Sequence, residues 1–296
     1  MSKKNAGEFY TPRSIVKLLI MLLDPKASET VYDPACGTGG MLIEAIRYMK
    51  NDKLTYGRIY GQEKNLSTSS IARMNLFLHG AKDFKVTQGD TLRSPNYQER
   101  GALKTFDCVV ANPPFSLKNW GASQFSSDIY GRNLWGCPSN SNGDFAWLQH
   151  MVKSMNPRSG RCAVILPQGV LFRVGKEGDI RKRLVESDKL ECIITLASGI
   201  FYSTGVSACI LFLNNNKKPD RRGQICMIDA SNIYTPQRAQ NIMTEKDVNR
   251  VFNLYSDYSN VVEKVRIATI AEIRDKEYSL AISNYIEKKQ FETIPP

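Results

Sequence analysis

The feature that most limits the possible folds is a glycine-rich turn between a short strand and a helix. The strand is predicted at 30–32, the turn at Asp33-Pro34-Ala35-Cys36-Gly37-Thr38-Gly39-Gly40, and the helix at 41–49. Glycines in such a turn let the backbone approach a ligand and point helix N–H groups at it. The spacing is not the G-x-G-x-x-G of dinucleotide folds, so the turn by itself does not specify the ligand.

Strands and helices continue to alternate after this turn. Further strands are predicted at 58–63, 84–88, 106–111 and 162–166, and further helices at 14–23, 66–79 and 145–155. Such alternation forms right-handed βαβ units and a parallel sheet. The apolar runs at 190–196 and 208–213 leave no room for a crossover helix, so we expect them to pair antiparallel. We therefore predict a Rossmann-like α/β fold of the methyltransferase variant, with a mostly parallel sheet and an antiparallel edge hairpin.

The 296 residues suffice for one large α/β domain. We expect a catalytic domain over 1–215 and a C-terminal extension over 216–296 that packs on it or contacts partner subunits. The extension contains one predicted strand at 225–228 and one predicted helix at 245–255. No apolar run reaches the ~20 residues that a membrane span requires, and the run at 15–23 is interpreted as a core helix, not a signal peptide.

One segment departs from the alternation. Residues 116–143 are rich in Ser, Asn and Gly, yet they contain Trp120 and Trp135. A stretch of this length without a predicted helix or strand, inside a compact domain, is usually a functional or a disordered loop.

Cysteine usage and charge limit the cellular setting. Seven cysteines without a Cys-x-x-Cys pair, and the two isolated histidines His79 and His150, favour a reduced, cytoplasmic protein and predict no metal site. Four cysteines lie in apolar runs and are expected to be buried: Cys108, Cys162, Cys192 and Cys209. The net charge of +11 suggests a polyanionic partner, although a solvated charged surface accounts for it equally well.

Carboxylates stand at the ends of two further predicted strands. Glu63 ends the second strand, where it can accept both hydroxyls of a ribose, and Asp90 follows the third, where it can accept from an adenine amino group. Taken singly, each acid is more often a helix cap or a solvated loop residue. Together with the glycine turn, and in this order, they indicate an adenosine-containing cofactor at the carboxyl edge of the sheet.

The fourth strand ends in Asn112-Pro113-Pro114-Phe115. An exocyclic amine on an aromatic ring is a poor nucleophile, because its lone pair is delocalised. The Asn112 side-chain oxygen and the Pro113 carbonyl, accepting the two N–H groups, would favour a pyramidal nitrogen that can attack a sulfonium-bound methyl group. Consecutive prolines make the bend stiff and present carbonyls instead of donors. We predict Asn112, Pro113 and Phe115 as catalytic residues; the alternative is that the prolines merely end a strand.

A target amine inside a duplex can be reached only if its base is flipped out and held between apolar faces. Phe115 would supply one face by stacking on the base. Phe201 or Tyr202, between the last two predicted strands, would supply the other, unless they are ordinary hairpin aromatics.

Five successive segments resemble the motifs of one family. They are Gly7-Glu8-Phe9-Tyr10-Thr11-Pro12, the turn 33–40, Asn112-Pro113-Pro114-Phe115, Ile165-Leu166-Pro167-Gln168-Gly169-Val170-Leu171-Phe172 and Ile200-Phe201-Tyr202-Ser203-Thr204-Gly205. In this order they are similar to the modification subunit of type I restriction-modification systems, in the gamma class of amino-methyltransferases. The resemblance extends to 228–231 and 278–285, so it covers nearly the whole chain.

The resemblance implies an N6-adenine DNA methyltransferase with S-adenosylmethionine as its cofactor. It implies that residues 8–13 close over the cofactor, that residues 38–40 cradle its methionine part, and that Glu63 binds its ribose. The cofactor-binding residues predicted in these ways are Glu8, Phe9, Tyr10, Thr11, Pro12, Arg13, Asp33, Ala35, Thr38, Gly39, Gly40, Glu63 and Asp90.

The resemblance also implies partners. In type I systems a separate specificity subunit selects the DNA site and recruits the restriction (nuclease) subunit, so we expect a hetero-oligomer on double-stranded DNA with a flipped adenine. Nothing in the sequence resembles a nuclease or an ATPase. Relatives carry a helical domain before the Tyr-Thr-Pro motif, which this sequence reaches at Tyr10, so we expect a chain that lacks it.

Two alternative functions remain open. Protein glutamine and ribosomal RNA N-methyltransferases also use Asn-Pro-Pro-aromatic turns on a planar nitrogen. A cofactor-binding assembly subunit without catalysis is the second alternative. The Tyr-Thr-Pro motif and the long C-terminal segment favour DNA over the first, and the intact turn at Asn112 argues against the second.

Overall fold

The computed structural model describes residues 10–49, 58–201, 206–238 and 240–287. The strands of these residues are β1 Val31–Asp33, β2 Ile59–Glu63, β3 Phe84–Gln88, β4 Gln98–Glu99, β5 Ala102–Leu103, β6 Cys108–Ala111, β7 Arg161–Pro167, β8 Leu190–Leu196, β9 Ala208–Asn214, β10 Gln224–Ala230 and β11 Val265–Thr269. Nine of them form one sheet, in the order β11-β10-β8-β9-β7-β6-β1-β2-β3, whereas β4 and β5 form a small separate hairpin.

Helices cover both faces of this sheet. They are α1 Arg13–Leu23, α2 Gly40–Met49, α3 Leu66–Leu78, α4 Ala122–Ser126, α5 Asp144–Lys153, α6 Lys176–Glu186, α7 Glu245–Asp257 and α8 Ile270–Asp275. Side chains of α1, α2, α3 and α7 belong to the core on one face, and those of α5, α6 and α8 to the core on the other. Because both faces are covered, the central strands β6, β7 and β8 are buried along nearly their whole length, which explains their apolar sequences.

The helix α1 is fixed firmly in the core. Most of its residues are buried, among them Ile15, Leu18 and Leu19. It ends where Asp24 adopts a left-handed conformation and donates its backbone N–H to the carbonyl of Ile20. The residues that immediately precede α1 are therefore anchored to a rigid element.

The strand directions confirm the predicted fold class. Neighbouring strands from β3 to β7 in the sheet order are parallel, and β9 lies antiparallel between β7 and β8. One detail of the prediction is corrected, because the antiparallel hairpin does not form the edge of the sheet. Strand β10 pairs in parallel with β8, and β11 pairs antiparallel with β10. The second row of backbone N–H and C=O groups on β8 is thus satisfied by the C-terminal segment instead of facing solvent.

A buried charge cluster joins this C-terminal segment to the rest of the chain. Arg221 donates to Glu191 at 2.8 Å, and its guanidinium lies 5.1 Å from the ring centre of Tyr255 and 4.2 Å from that of Tyr258. The Tyr255 hydroxyl also donates to Glu191, at 2.7 Å. Both charged side chains are nearly fully buried, so loss of either would leave an uncompensated charge. The division of the chain between residues 215 and 216 stays a prediction.

The irregular segment 116–143 forms a packed loop with one short helix, α4. Its two tryptophans, Trp120 and Trp135, are buried. Arg132 anchors the loop by an ion pair with Asp128 and by donating to the carbonyls of Thr91 and Leu92, both at 3.0 Å. The loop is therefore tied to the turn that follows β3.

All seven cysteines lie in the described part of the chain and are free thiols. The four expected to be buried are buried: Cys108, Cys162, Cys192 and Cys209. None of the described helices is long and apolar enough to cross a membrane.

Candidate active site

The carboxyl ends of β1, β2, β3 and β6 lie at one edge of the sheet because these strands are parallel. A pocket of about 280 Å³ opens at this edge, between the turn after β1 and the residues before α1. Its volume is near the lower end of small-molecule sites, which span roughly 300–1,000 Å³. The site predicted from the sequence is thus concave and assembled from several elements.

The pocket brings together many of the predicted site residues. Its lining includes Tyr10, Thr11, Arg13, Asp33, Ala35, Thr38, Gly40 and Asn112. Four other predicted cofactor-binding residues do not line it: Pro12, Gly39, Glu63 and Asp90. Glu8 and Phe9, together with the alternative stacking residue Tyr202, lie outside the described residues.

The glycine turn after β1 leaves open space for a ligand. Gly37 and Gly39 have φ angles of 53° and 87°, left-handed values that other residues rarely adopt. A Cβ atom built at Gly37 or at Gly40 would meet no heavy atom within 4 Å. Since α2 begins at Gly40, its first backbone N–H groups lie at the pocket and can donate to an anionic group.

Asp33 lines the pocket with its carboxyl group nearly fully buried. Burial raises the pKa of Asp33 from 3.8 to about 8; the Ala35 amide, which donates to Oδ1 at 2.9 Å, opposes this shift, and the charge of Glu63 adds to it. The Asp33 carboxyl therefore changes its protonation state close to neutral pH. A cationic ligand group beside it would favour the ionised form.

Glu63 and Asp90 stand at the same edge but are engaged within the chain. Glu63 accepts from the backbone N–H of Gly37 at 3.1 Å and from that of Asn65 at 2.8 Å. Each carboxylate oxygen has further lone-pair capacity, so Glu63 can still accept from ribose hydroxyls. Asp90 forms an ion pair with Lys64 at 2.9 Å. Cofactor binding by either acid stays a prediction.

Asn112 follows β6, and its side chain lines the pocket. Its Nδ2 donates to the Thr11 hydroxyl at 2.9 Å. Its Oδ1 is buried and has no hydrogen-bond partner within the described part of the chain. A buried oxygen without a donor costs about 1–3 kcal/mol, so this atom is suited to accept from a ligand. Pro113, the next residue, is buried and leaves its carbonyl as a further acceptor.

The two aromatic residues predicted to hold the target base are neighbours. The rings of Phe115 and Phe201 lie edge to face, with centroids 6.3 Å apart and planes inclined by 70°. Phe201 is buried, whereas Phe115 is partly exposed. A base held between two parallel faces would require these rings to reorient, so the sandwich stays a prediction.

The residues that hold the far end of the Asn112 turn were not predicted from the sequence. Asp144 is completely buried; it accepts from the backbone N–H of Ser116 at 2.7 Å and from Arg173 Nη1 at 3.0 Å. Gly169 provides room for this arginine, since a Cβ atom there would lie 2.5 Å from Arg173 Nε. The available signal was the position of Arg173 directly after the motif 165–172.

Residues 1–293 match the family described as N-6 DNA Methylase. The chain belongs to the N-6 DNA methylase family. The type I restriction enzyme MjaVIII methylase subunit of Methanocaldococcus jannaschii is 35% identical over 300 residues, which is 96% of this chain and 50% of that protein. The HindI methylase subunit of Haemophilus influenzae is 33% identical over 294 residues, or 96% and 64% of the two chains.

A solved structure agrees with these relatives. The methyltransferase subunit of a type I restriction-modification system from Streptococcus thermophilus superposes with a TM-score of 0.88 and 32% identity, over 96% of this chain and 60% of that one. The predicted family and its α/β fold are thereby confirmed. This chain spans about half the length of the curated Methanocaldococcus relatives that it matches.

Proposed function

We propose that this chain transfers a methyl group from S-adenosylmethionine to the N6 amine of adenine in DNA, within the modification subunit of a type I restriction-modification system. One observation carries the proposal. Among the residues that the structure describes, the buried side-chain oxygen of Asn112 has no donor; it lies at the pocket in a stiff Asn-Pro-Pro-Phe turn, and the amide nitrogen of the same side chain is already engaged. This arrangement suits an amine that donates to the oxygen.

The chemistry follows from two acceptors on one nitrogen. When bound, S-adenosylmethionine supplies an electrophilic methyl group. Asn112 Oδ1 accepts one N–H of the adenine amine, and the Pro113 carbonyl accepts the other. These bonds favour a nitrogen whose lone pair leaves conjugation with the ring, and they strengthen as positive charge develops on it. Phe115 stacks on the flipped base, so catalysis consists mainly of positioning.

The pocket supports binding of the cofactor. The methionine part of the cofactor carries a carboxylate and an ammonium group. The carboxylate would fit the open space at the glycines and accept from the first N–H groups of α2, and the ammonium group would lie beside the Asp33 carboxyl. Glu63 would accept from the ribose and Asp90 from the adenine amine.

We also propose the partners that the names of the relatives suggest. This chain would act on double-stranded DNA together with a specificity subunit and a restriction subunit, as a cytoplasmic hetero-oligomer. The net charge of +11 supports a polyanionic partner.

The test is nucleoside mass spectrometry after incubation with cofactor labelled on the methyl group. The assembled modification complex is incubated with unmethylated genomic DNA, and we expect label in N6-methyldeoxyadenosine. Label found only in protein or RNA would instead favour one of the alternative acceptors and overturn the proposal.

The substitution Asn112→Ala tests the mechanism. We expect methyl transfer to fall at least about 100-fold, because the amine loses an acceptor in the transition state, while cofactor affinity stays nearly unchanged. The matched control is Asn253→Ala, on the exposed face of α7, which should transfer normally. Turnover retained by Asn112→Ala would contradict the proposed role.

A further inference from the structure

The hydrogen bond between Thr11 and Asn112 joins two residues that are far apart in sequence. Asn112 Nδ2 donates to Thr11 Oγ1 at 2.9 Å, in a partly buried setting, and both residues line the same pocket. From the sequence, Thr11 is predicted to contact the cofactor, and no interaction with Asn112 is predicted. The observed contact instead connects it to the side chain that carries the proposed chemistry.

An asparagine amide has two different ends, and only one of them can accept from an amine. If the amide of Asn112 were rotated by 180°, its NH2 group would meet the N–H of the target, donor against donor. In the observed orientation the NH2 group has an acceptor in Thr11, and the oxygen, which has no partner in the described ranges, is available to the amine. Once the amine is bound, both ends of the amide are satisfied only in this orientation.

We infer that Thr11 is a positioning residue: its hydroxyl accepts from Asn112 Nδ2 and so holds the Asn112 oxygen toward the methyl-accepting amine. This inference rests on the proposed function for the role of Asn112. Thr11 itself need not touch the amine or the methyl group.

The location of Thr11 supports this role. It directly precedes Pro12, whose carbonyl accepts from the backbone N–H groups of Ile15 and Val16, both at 3.0 Å. Since α1 is buried in the core, the backbone at Thr11 is held by the fold and not by a ligand. The position of the hydroxyl is therefore set before any ligand binds, and the hydroxyl can accept from Nδ2 when the amine donates to the Asn112 oxygen.

The test uses Thr11→Val, which keeps the shape and removes the acceptor, and Thr11→Ser, which restores the hydroxyl. In the assembled modification complex with saturating S-adenosylmethionine, Thr11→Val should lower kcat for methyl transfer roughly 10- to 100-fold, because the reactive amide orientation then leaves a buried N–H without an acceptor. The dissociation constant of S-adenosylmethionine, measured by calorimetry, should change less than about twofold. Thr11→Ser should recover most of the lost kcat.

A second readout needs neither cofactor nor DNA. Thr11→Val should lower the melting temperature of the chain by about 2–4 °C, and the same change in an Asn112→Ala background should have almost no effect, since the partner is already absent. Thr235→Val, in an exposed loop, serves as the matched control and should change neither kcat nor this coupling.

The outcomes are distinguishable. If Thr11→Val raises the dissociation constant of S-adenosylmethionine and leaves kcat at saturation unchanged, Thr11 is a cofactor contact and the inference is overturned. Equal kcat and additive melting temperatures would overturn it as well. Methyl transfer is measured on whichever acceptor takes up label. Label in protein or RNA would contradict the proposed DNA substrate, and the effect of Thr11→Val on kcat would still be measured. Absence of label in every acceptor defeats both proposals.

Discussion

Asp33 shows, at the scale of one residue, how burial changes the chemistry of an acid. Its carboxyl is removed from water, and the nearby charge of Glu63 further disfavours ionisation, so its pKa rises to about 8. The folded protein therefore binds a proton that the unfolded chain releases near pH 4. The stability that Asp33 contributes is complete below about pH 4 and is lost as the pH rises toward 8.

This loss predicts a pH-dependent effect of Asp33→Asn. The amide cannot ionise and keeps an acceptor for the Ala35 amide, so the variant avoids the cost that the carboxylate carries at higher pH. We expect the melting temperature of the variant, relative to wild type, to rise between pH 5 and pH 8. Asp257→Asn, at an exposed position, is the control and should show no such trend. A constant difference between variant and wild type would contradict the raised pKa.

The site residues that could be predicted from sequence are those whose neighbours in the chain reveal their role. Asn112 ends an apolar strand and precedes two prolines, and the glycine turn follows another strand, so their chemistry is visible in a short window. Asp144 and Arg132 could not be found in this way. The contacts that tie them to other elements span long stretches of chain, from Asp144 to Ser116 and from Arg132 to Thr91, and in sequence both appear as ordinary charged residues.

The Asn112–Phe115 turn is an element held from both ends. Thr11 engages Asn112 at its start, and Asp144 accepts from the backbone N–H of Ser116 directly after it. Ser116 has a φ of 50°, a left-handed value that requires such support in a residue with a side chain. The position of the turn thus depends on side chains from α5 and from the segment before α1.

The substitution Asp144→Asn should loosen this element. An amide in place of the carboxylate would turn its NH2 group toward either Ser116 N–H or Arg173, so one donor loses its acceptor. We expect the free energy of unfolding, measured by urea denaturation, to fall by about 1–3 kcal/mol. The exposed control Asp257→Asn should change it little. Equal stability of wild type and Asp144→Asn would show that this tether contributes nothing.

Elements with strong apolar periodicity were predicted correctly, and weakly patterned ones were missed. The helices α1 and α5 and the strands β7 to β9 appear near their expected bounds. The helix α6 was not predicted because most of its residues are charged or polar, and it presents to the core only a narrow apolar stripe around Ile180 and Leu184. The strand β11 is short and, within the described part of the chain, pairs with β10 alone, so it carries little pattern.

The charge of the whole molecule predicts how its complex with DNA responds to salt. With a net charge of +11, contacts to phosphates should release counterions. If about six phosphates are contacted, affinity should fall roughly 1,000-fold between 50 and 200 mM salt. Fluorescence anisotropy with labelled duplex DNA measures this dependence. An affinity independent of salt would argue against an interface dominated by phosphates.

The sheet order predicts that the chain cannot be divided at residue 215. Strand β8 would lose its partner β10, and α1 would lose the ion pair of Lys17 with Glu245 of α7. We expect a chain ending at residue 215 to aggregate or to lack a cooperative melting transition in circular dichroism. A monomeric 1–215 fragment with a sharp transition would show that the two parts fold independently.

At the scale of the molecule, the sequence predicted the fold class and not the strand order. Alternating strands and helices imply a parallel sheet whatever its order, because each helix returns the chain to the edge of the sheet where the previous strand began. The neighbours of each strand depend on pairings between distant segments. The position of β10 beside β8 therefore became visible only in the structure.

The packed loop at 116–143 also makes the protein its own optical probe. The three tryptophans of the sequence, Trp120, Trp135 and Trp147, are all buried in this loop or directly after it. Intrinsic fluorescence excited at the indole band therefore reports on one small region of a 296-residue chain. Undocking of that region during a titration with DNA would appear as a red shift in emission, with no label attached.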